Sequence, residues 1–129
     1  KFDQRRFDSV VDATGLRDDL RMLPGGQDVE IGERGLTLSG GQKQRVGVAR
    51  AVYEAKEECD GRLYLLDDPL SACDVHVGRI IFERVVMGLL IRQTRVMVLN
   101  QLEFLRFADH IAVMRGGRIV DQGTYDELV

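Results

Sequence analysis

Ser39, Gly40, Gly41 and Gln42 stand together in the string Leu38-Ser39-Gly40-Gly41-Gln42-Lys43-Gln44-Arg45, and the apolar run Leu63-Tyr64-Leu65-Leu66 further on ends in Asp67-Asp68-Pro69. A small, glycine-rich turn opening a helix leaves backbone N–H groups free, and the helix dipole strengthens their hold on an anion such as phosphate. Carboxylates at the C-terminal end of a buried strand are placed to hold Mg2+. Capping alone accounts for Ser39 and Gln42, which have capping-box spacing. It does not account for two glycines in the first turn, which weaken a helix unless something approaches the backbone closely. A phosphate supplies such a reason.

The elements that must position these groups follow from periodicity. Phe7, Val10 and Val11 predict a helix over residues 3–14, ended by Gly15. A short helix fits residues 17–23, stopped by Pro24-Gly25-Gly26, and a glycine-punctuated loop follows over 28–35. Ser39 caps a helix running to about Tyr53, with Val46, Ala49, Val52 and Tyr53 on one face. A polar connection leads to residues 63–66, which read as a strand buried on both faces. Asp74 caps a helix carrying Val77, Ile80, Ile81, Val85 and Leu89 at helical spacing. A second buried strand over 96–99 and a short helix over 103–107 come next. Residues 111–114 and 119–120 flank Arg115-Gly116-Gly117-Arg118 as a hairpin, and Thr124 with Glu127 repeats the capping box. Met87, Met97 and Met114 read as core. Strands alternating with helices mean an α/β domain with a mostly parallel sheet.

Composition narrows the function. With 129 residues, 44% hydrophobic and 30% charged, the chain has the make-up of an ordinary folded domain. A net charge of −3 with scattered basic residues argues against nucleic acid as a partner. No apolar run reaches the length of about 20 residues that spans a bilayer, so direct membrane insertion is not expected. Cys59 and Cys73 lack metal or redox spacing, and His76 and His110 lack a second ligand nearby. The chain opens at Lys1 and stops inside a helical pattern, which leads us to expect an excised piece of a longer protein.

The eight-residue string and the acidic strand end closely resemble the signature and Walker B motifs of ABC (ATP-binding cassette) ATPases. The resemblance runs from Phe2-Asp3 to Tyr125-Asp126-Glu127-Leu128 and is strongest to the first nucleotide-binding domain of the multidrug-resistance-associated (C) subfamily of transporters. It implies part of a RecA-like P-loop NTPase core together with the ABC helical subdomain. Residues 1–53 would form the helical subdomain and signature helix, and residues 60–129 the Walker B, D-loop and switch-loop part. ATP and Mg2+ are the implied cofactors. Leu38, Ser39, Gly40, Gly41 and Gln42 would contact ATP held by a second nucleotide-binding domain in a head-to-tail dimer. Asp67 would hold Mg2+ through water, and Ser71, Ala72, Cys73 and Asp74 would form the D-loop. Asp68 stands where most such ATPases carry a catalytic glutamate, and Asn100 where they carry a histidine that contacts the γ-phosphate. Glu30, Ile31, Gly32, Glu33, Arg34 and Gly35 resemble the loop that exporters press against their transmembrane domains.

No GxxxxGK[ST] phosphate loop occurs in the 129 residues. Holding ATP as that family does therefore needs further sequence. The function implied is ATP-driven export across a membrane, with this domain at the cytoplasmic face, an intact signature and a degenerate site of its own. A soluble ABC ATPase and a non-catalytic regulatory or remnant module are the alternatives.

Overall fold

Asp3 starts the first helix, α1 (Gln4–Ala13), by accepting the Arg6 N–H at 3.1 Å. The computed structural model describes residues 2–32, 37–55 and 61–129. Val10, Val11 and Ala13 give α1 its buried face, and Gly15 at φ +66° turns the chain after it. The next helix, α2 (Arg17–Met22), is tied back by Arg17, which pairs with Asp8 at 3.2 Å and Asp12 at 2.7 Å. The long helix α3 (Gly40–Tyr53) buries Val48 and Val52; Val46, expected on that face, is only partly covered. Arg6 on α1 grips the far end of α3, donating to the carbonyls of Val52 at 2.8 Å and Tyr53 at 3.1 Å. A cation at those C-terminal carbonyls also complements the helix dipole.

Strands β1 (Leu63–Asp67) and β2 (Thr94–Val98) pair in parallel, from Leu63 opposite Thr94 to Asp67 opposite Val98. Between them Asp74 caps α4 (Val75–Ile81), which widens into a π-helical stretch, Phe82–Leu89. The expected single α-helix therefore changes phase. The Leu90 N–H bonds the Val85 carbonyl five residues back, and Leu90, not Leu89, becomes fully buried. The strands also depart from expectation. Tyr64 and Leu66 are buried, but Leu63 is 55% and Leu65 70% exposed, and Val96 and Val98 are 56% and 55% exposed. One face of the pair is covered and the other is open.

The chain divides into two units, Lys1–Val98 and Leu99–Val129. In the second, the short helix is 3-10 rather than α (Leu102–Phe107), with Phe104 buried. Strands β3 (Ile111–Arg115) and β4 (Arg118–Gly123) form the expected antiparallel hairpin. Gly116 and Gly117 both take positive φ, +57° and +75°, as a tight two-residue turn requires. Met114 is 67% exposed and does not join a core. The capping box of Thr124 and Glu127 starts α5 (Tyr125–Leu128) as expected. The order of helices and strands is α/β. The two small sheets do not by themselves make the larger, mostly parallel sheet of a RecA-like core.

The open apolar face has a measurable consequence, because a bare sheet face of Leu and Val drives association. We expect the 129-residue chain on its own to elute from size-exclusion chromatography as aggregate or oligomer. Leu65→Lys combined with Val98→Lys should move it toward monomer; a monodisperse wild-type monomer would contradict this.

Candidate functional site

Leu38 is buried and anchors the start of α3. Ser39, extended, caps the helix: its Oγ accepts the Gln42 N–H at 3.2 Å, and its own N–H donates to Gln42 Oε1 at 2.9 Å. Gln42 Nε2 donates to Asp19 Oδ1 at 2.8 Å, and the other Asp19 oxygen pairs with Arg45. Gln42 is thereby committed to the cap and to α2. Gly40 and Gly41 carry N–H groups for which the helix itself provides no partner four residues back. The two glycines differ in their surroundings. Among the described residues no atom comes within 4 Å of a Cβ built on Gly40, apart from its chain neighbours and its own helix backbone, whereas a Cβ on Gly41 would lie 2.7 Å from the Ala72 carbonyl oxygen. Close approach of its own chain gives Gly41 a reason to be glycine beside the phosphate that sequence reasoning invoked for both.

Asp67 ends β1 exposed, and the Asp68 N–H still reaches the Val98 carbonyl at 3.1 Å. The backbone then turns left-handed at Asp68, φ +43°. The following Pro69 disfavours the right-handed helical region, and aspartate is among the few side chains that tolerate the left-handed one. Buried Pro69 and Leu70 fix the turn, and Ser71 closes it, its N–H and Oγ donating to the Asp68 carbonyl at 3.2 and 3.0 Å. Cys73 is a free, half-buried thiol whose pKa is raised by burial, so it stays protonated and a poor nucleophile. Asp74 accepts the Val77 N–H at 3.0 Å, and that bond holds its carboxyl below the ordinary range.

Gln44 joins the two parts. Its Nε2 donates to the Asp68 carbonyl at 2.9 Å and to Ser71 Oγ at 3.0 Å, while its Oε1 accepts the Ala72 N–H at 3.0 Å. Sequence reasoning passed over this residue. The available signal was its spacing, one turn beyond Gly41 on the same helix face.

The start of α3 and the 68–74 loop are thus brought together. Glu30, Ile31 and Gly32 are exposed in a separate segment; Glu33, Arg34 and Gly35, like Cys59, lie outside the described residues. Asn100 is exposed in the second unit. Among the described residues no three His, Cys, Asp or Glu side chains converge as a metal site, and no helix is long and apolar enough to cross a membrane.

No protein-family model matches the chain. Curated relatives do. It is 47% identical over 129 residues, its whole length, to ABC transporter C family member 12 of Dictyostelium discoideum. It is 49% identical over 130 aligned residues, 99% of the chain, to multidrug resistance protein mrp-7 of Caenorhabditis elegans. It is 47% identical over 131 aligned residues, again its whole length, to human ATP-binding cassette sub-family C member 2. It spans only 9%, 8% and 8% of those proteins' lengths. Likeness of this kind along the entire chain identifies an ABC-domain segment of the ABC transporters. Within them, the chain belongs to the C family.

Gly41→Ala should cost about 1–3 kcal/mol through overpacking against Ala72. Gly40→Ala should be neutral or stabilising by up to about 1 kcal/mol. Denaturant titration of the two variants checks the order, and equal effects would show that the Ala72 contact does not constrain Gly41.

The Asp74 cap carries a pH dependence. Its folded pKa lies below the unfolded value, so its stabilisation is present above about pH 4 and is lost as pH falls through the folded value. Asp74→Asn keeps an acceptor and removes the titration. Its thermal midpoint should fall less steeply than that of the wild type below about pH 4; parallel acid profiles would contradict the assignment.

Proposed function

We propose that the chain is part of the ATP-binding and ATP-hydrolysing domain of an ABC exporter, acting at the cytoplasmic face of a membrane and coupling ATP use to transport. The observation that carries this reading is whole-length identity near one half to C-family transporters. In it, residues 1–53 are the helical subdomain with the signature helix, and residues 60–129 belong to a RecA-like core completed by other sequence. Ser39, Gly40 and Gly41 face ATP bound by a second nucleotide-binding domain in a head-to-tail dimer. The open space at Gly40 and the committed side chain of Gln42 favour backbone N–H groups as the phosphate contacts.

The chain's own site rests on Asp67 and Asp68. A lone exposed carboxylate at a strand end suits Mg2+, which takes one or two carboxylates besides substrate phosphates and water. When bound, the metal neutralises developing phosphate charge. Asp68 is one methylene shorter than the glutamate of the resemblance, about 1 Å of reach, and a misplacement of that size costs roughly 10²-fold in rate. Asn100 can donate a hydrogen bond but lacks the charge option of histidine. This site therefore binds more than it hydrolyses, while the intact signature serves the partner's site. Residues 30–35 contact the transmembrane domains.

In the full transporter, Ser39→Arg and Gly40→Asp should each lower ATP turnover by roughly 10²-fold or more, by placing bulk or like charge at the partner's phosphates. Gly40 is the cleaner probe, since nothing among the described residues crowds it. Asp68→Asn should change turnover less than about twofold, because it acts at the weaker site. Steady-state ATPase assays decide. Unchanged turnover in Ser39→Arg would sink the reading, and equal losses in all three would remove the asymmetry.

A further inference from the structure

The Gln44 carboxamide makes contacts to four residues of the loop that begins at Asp68, 24 to 29 positions along the chain. Both Nε2 hydrogens are used, and Oε1 accepts the Ala72 N–H and, more weakly, the Cys73 thiol at 3.9 Å. The amide can sit only one way round. Reversed, its oxygen would face the Asp68 carbonyl and its NH2 the Ala72 N–H, two repulsive contacts, and only the Ser71 hydroxyl could adapt by turning its hydrogen. The loop it holds includes Asp68 at φ +43°, a conformation that persists in a non-glycine residue only where the surroundings enforce it. Beside it, Gly41 comes so close to Ala72 that no side chain fits between them.

We propose that Gln44 is a positioning residue, whose carboxamide fixes the Asp68 turn and the following loop against the start of α3. On the reading given above, the signature turn faces the partner's ATP and the end of β1 faces the chain's own. Gln44 then sets the geometry between the two sites from within one domain, so displacing it disturbs both. Arg45, its neighbour, pairs with Asp19 on α2 and reaches the loop only at the Cys73 thiol, beyond the Asp68 turn. Ser71 closes the Asp68 turn locally, but the Ala72 N–H is taken by Gln44.

The test uses Gln44→Met and Gln44→Glu in the full transporter. Methionine keeps the volume and loses every hydrogen bond. Glutamate keeps an acceptor for Ala72 but sets an oxygen against the Asp68 carbonyl. Both should lower kcat by roughly 10- to 10²-fold, with KM for ATP within about twofold. Amide hydrogen exchange should rise across residues 68–74 in both variants, more in Met than in Glu at Ala72, with α1 and α4 unchanged. Wild-type kcat in either variant, unchanged exchange in the loop, or exchange rising equally throughout the domain would each overturn the proposal. If the wild-type transporter hydrolyses no ATP, the functional reading falls, and the exchange pattern alone decides whether Gln44 positions the loop.

Discussion

A single carboxamide, that of Gln44, joins the opening of α3 to the loop at the end of β1. Around that joint the chain has little freedom. Gly41 and Ala72 touch, so the helix can neither roll nor slide toward the loop. Arg6 holds the C-terminal end of α3, and Asp19 holds its N-terminal end through Gln42 and Arg45. A helix fixed at both ends and along one face presents its first turn in one direction. That is the physical requirement for backbone N–H groups to meet a phosphate without reorganising.

Asp68 shows how conformation and chemistry compete at one position. A residue before proline avoids the right-handed region, and Asp68 answers by turning left-handed, which a short polar side chain tolerates better than a longer one. The same shortness withdraws the carboxylate from where a glutamate would reach. The backbone of this turn is held by bonds to Val98, Gln44 and Ser71, so little slack remains for the side chain to recover that distance. On the functional reading, the conformation that makes the loop rigid also fits a site that retains nucleotide more than it cleaves it.

The parallel pair of β1 and β2 explains why the chain is best understood as a segment of a larger domain. Its inner face is packed by Tyr64 and Leu66, while the outer face carries Leu63, Leu65, Val96 and Val98 in the open. The curated relatives that share the sequence are more than ten times longer, the chain spanning 9% or less of them. A strand made of apolar residues on both faces is written for a sheet covered on both faces.

Much of this was legible in the residues themselves. Local rules found the caps at Ser39, Asp74 and Thr124, the Gly116-Gly117 turn and the acidic end of β1, because each depends on neighbours a few positions away. The resemblance to ABC proteins was also carried by short strings. What sequence could not reach was set by contacts across long separations. The need for glycine at 41 comes from Ala72, the role of Gln44 from Asp68, and the commitment of Gln42 from Asp19. The shift from Leu89 to Leu90 in the core came from a π-helical widening that no periodicity announced. Hydrogen bonds and close contacts between distant segments exist only once the chain has folded, so the tertiary structure alone decided them.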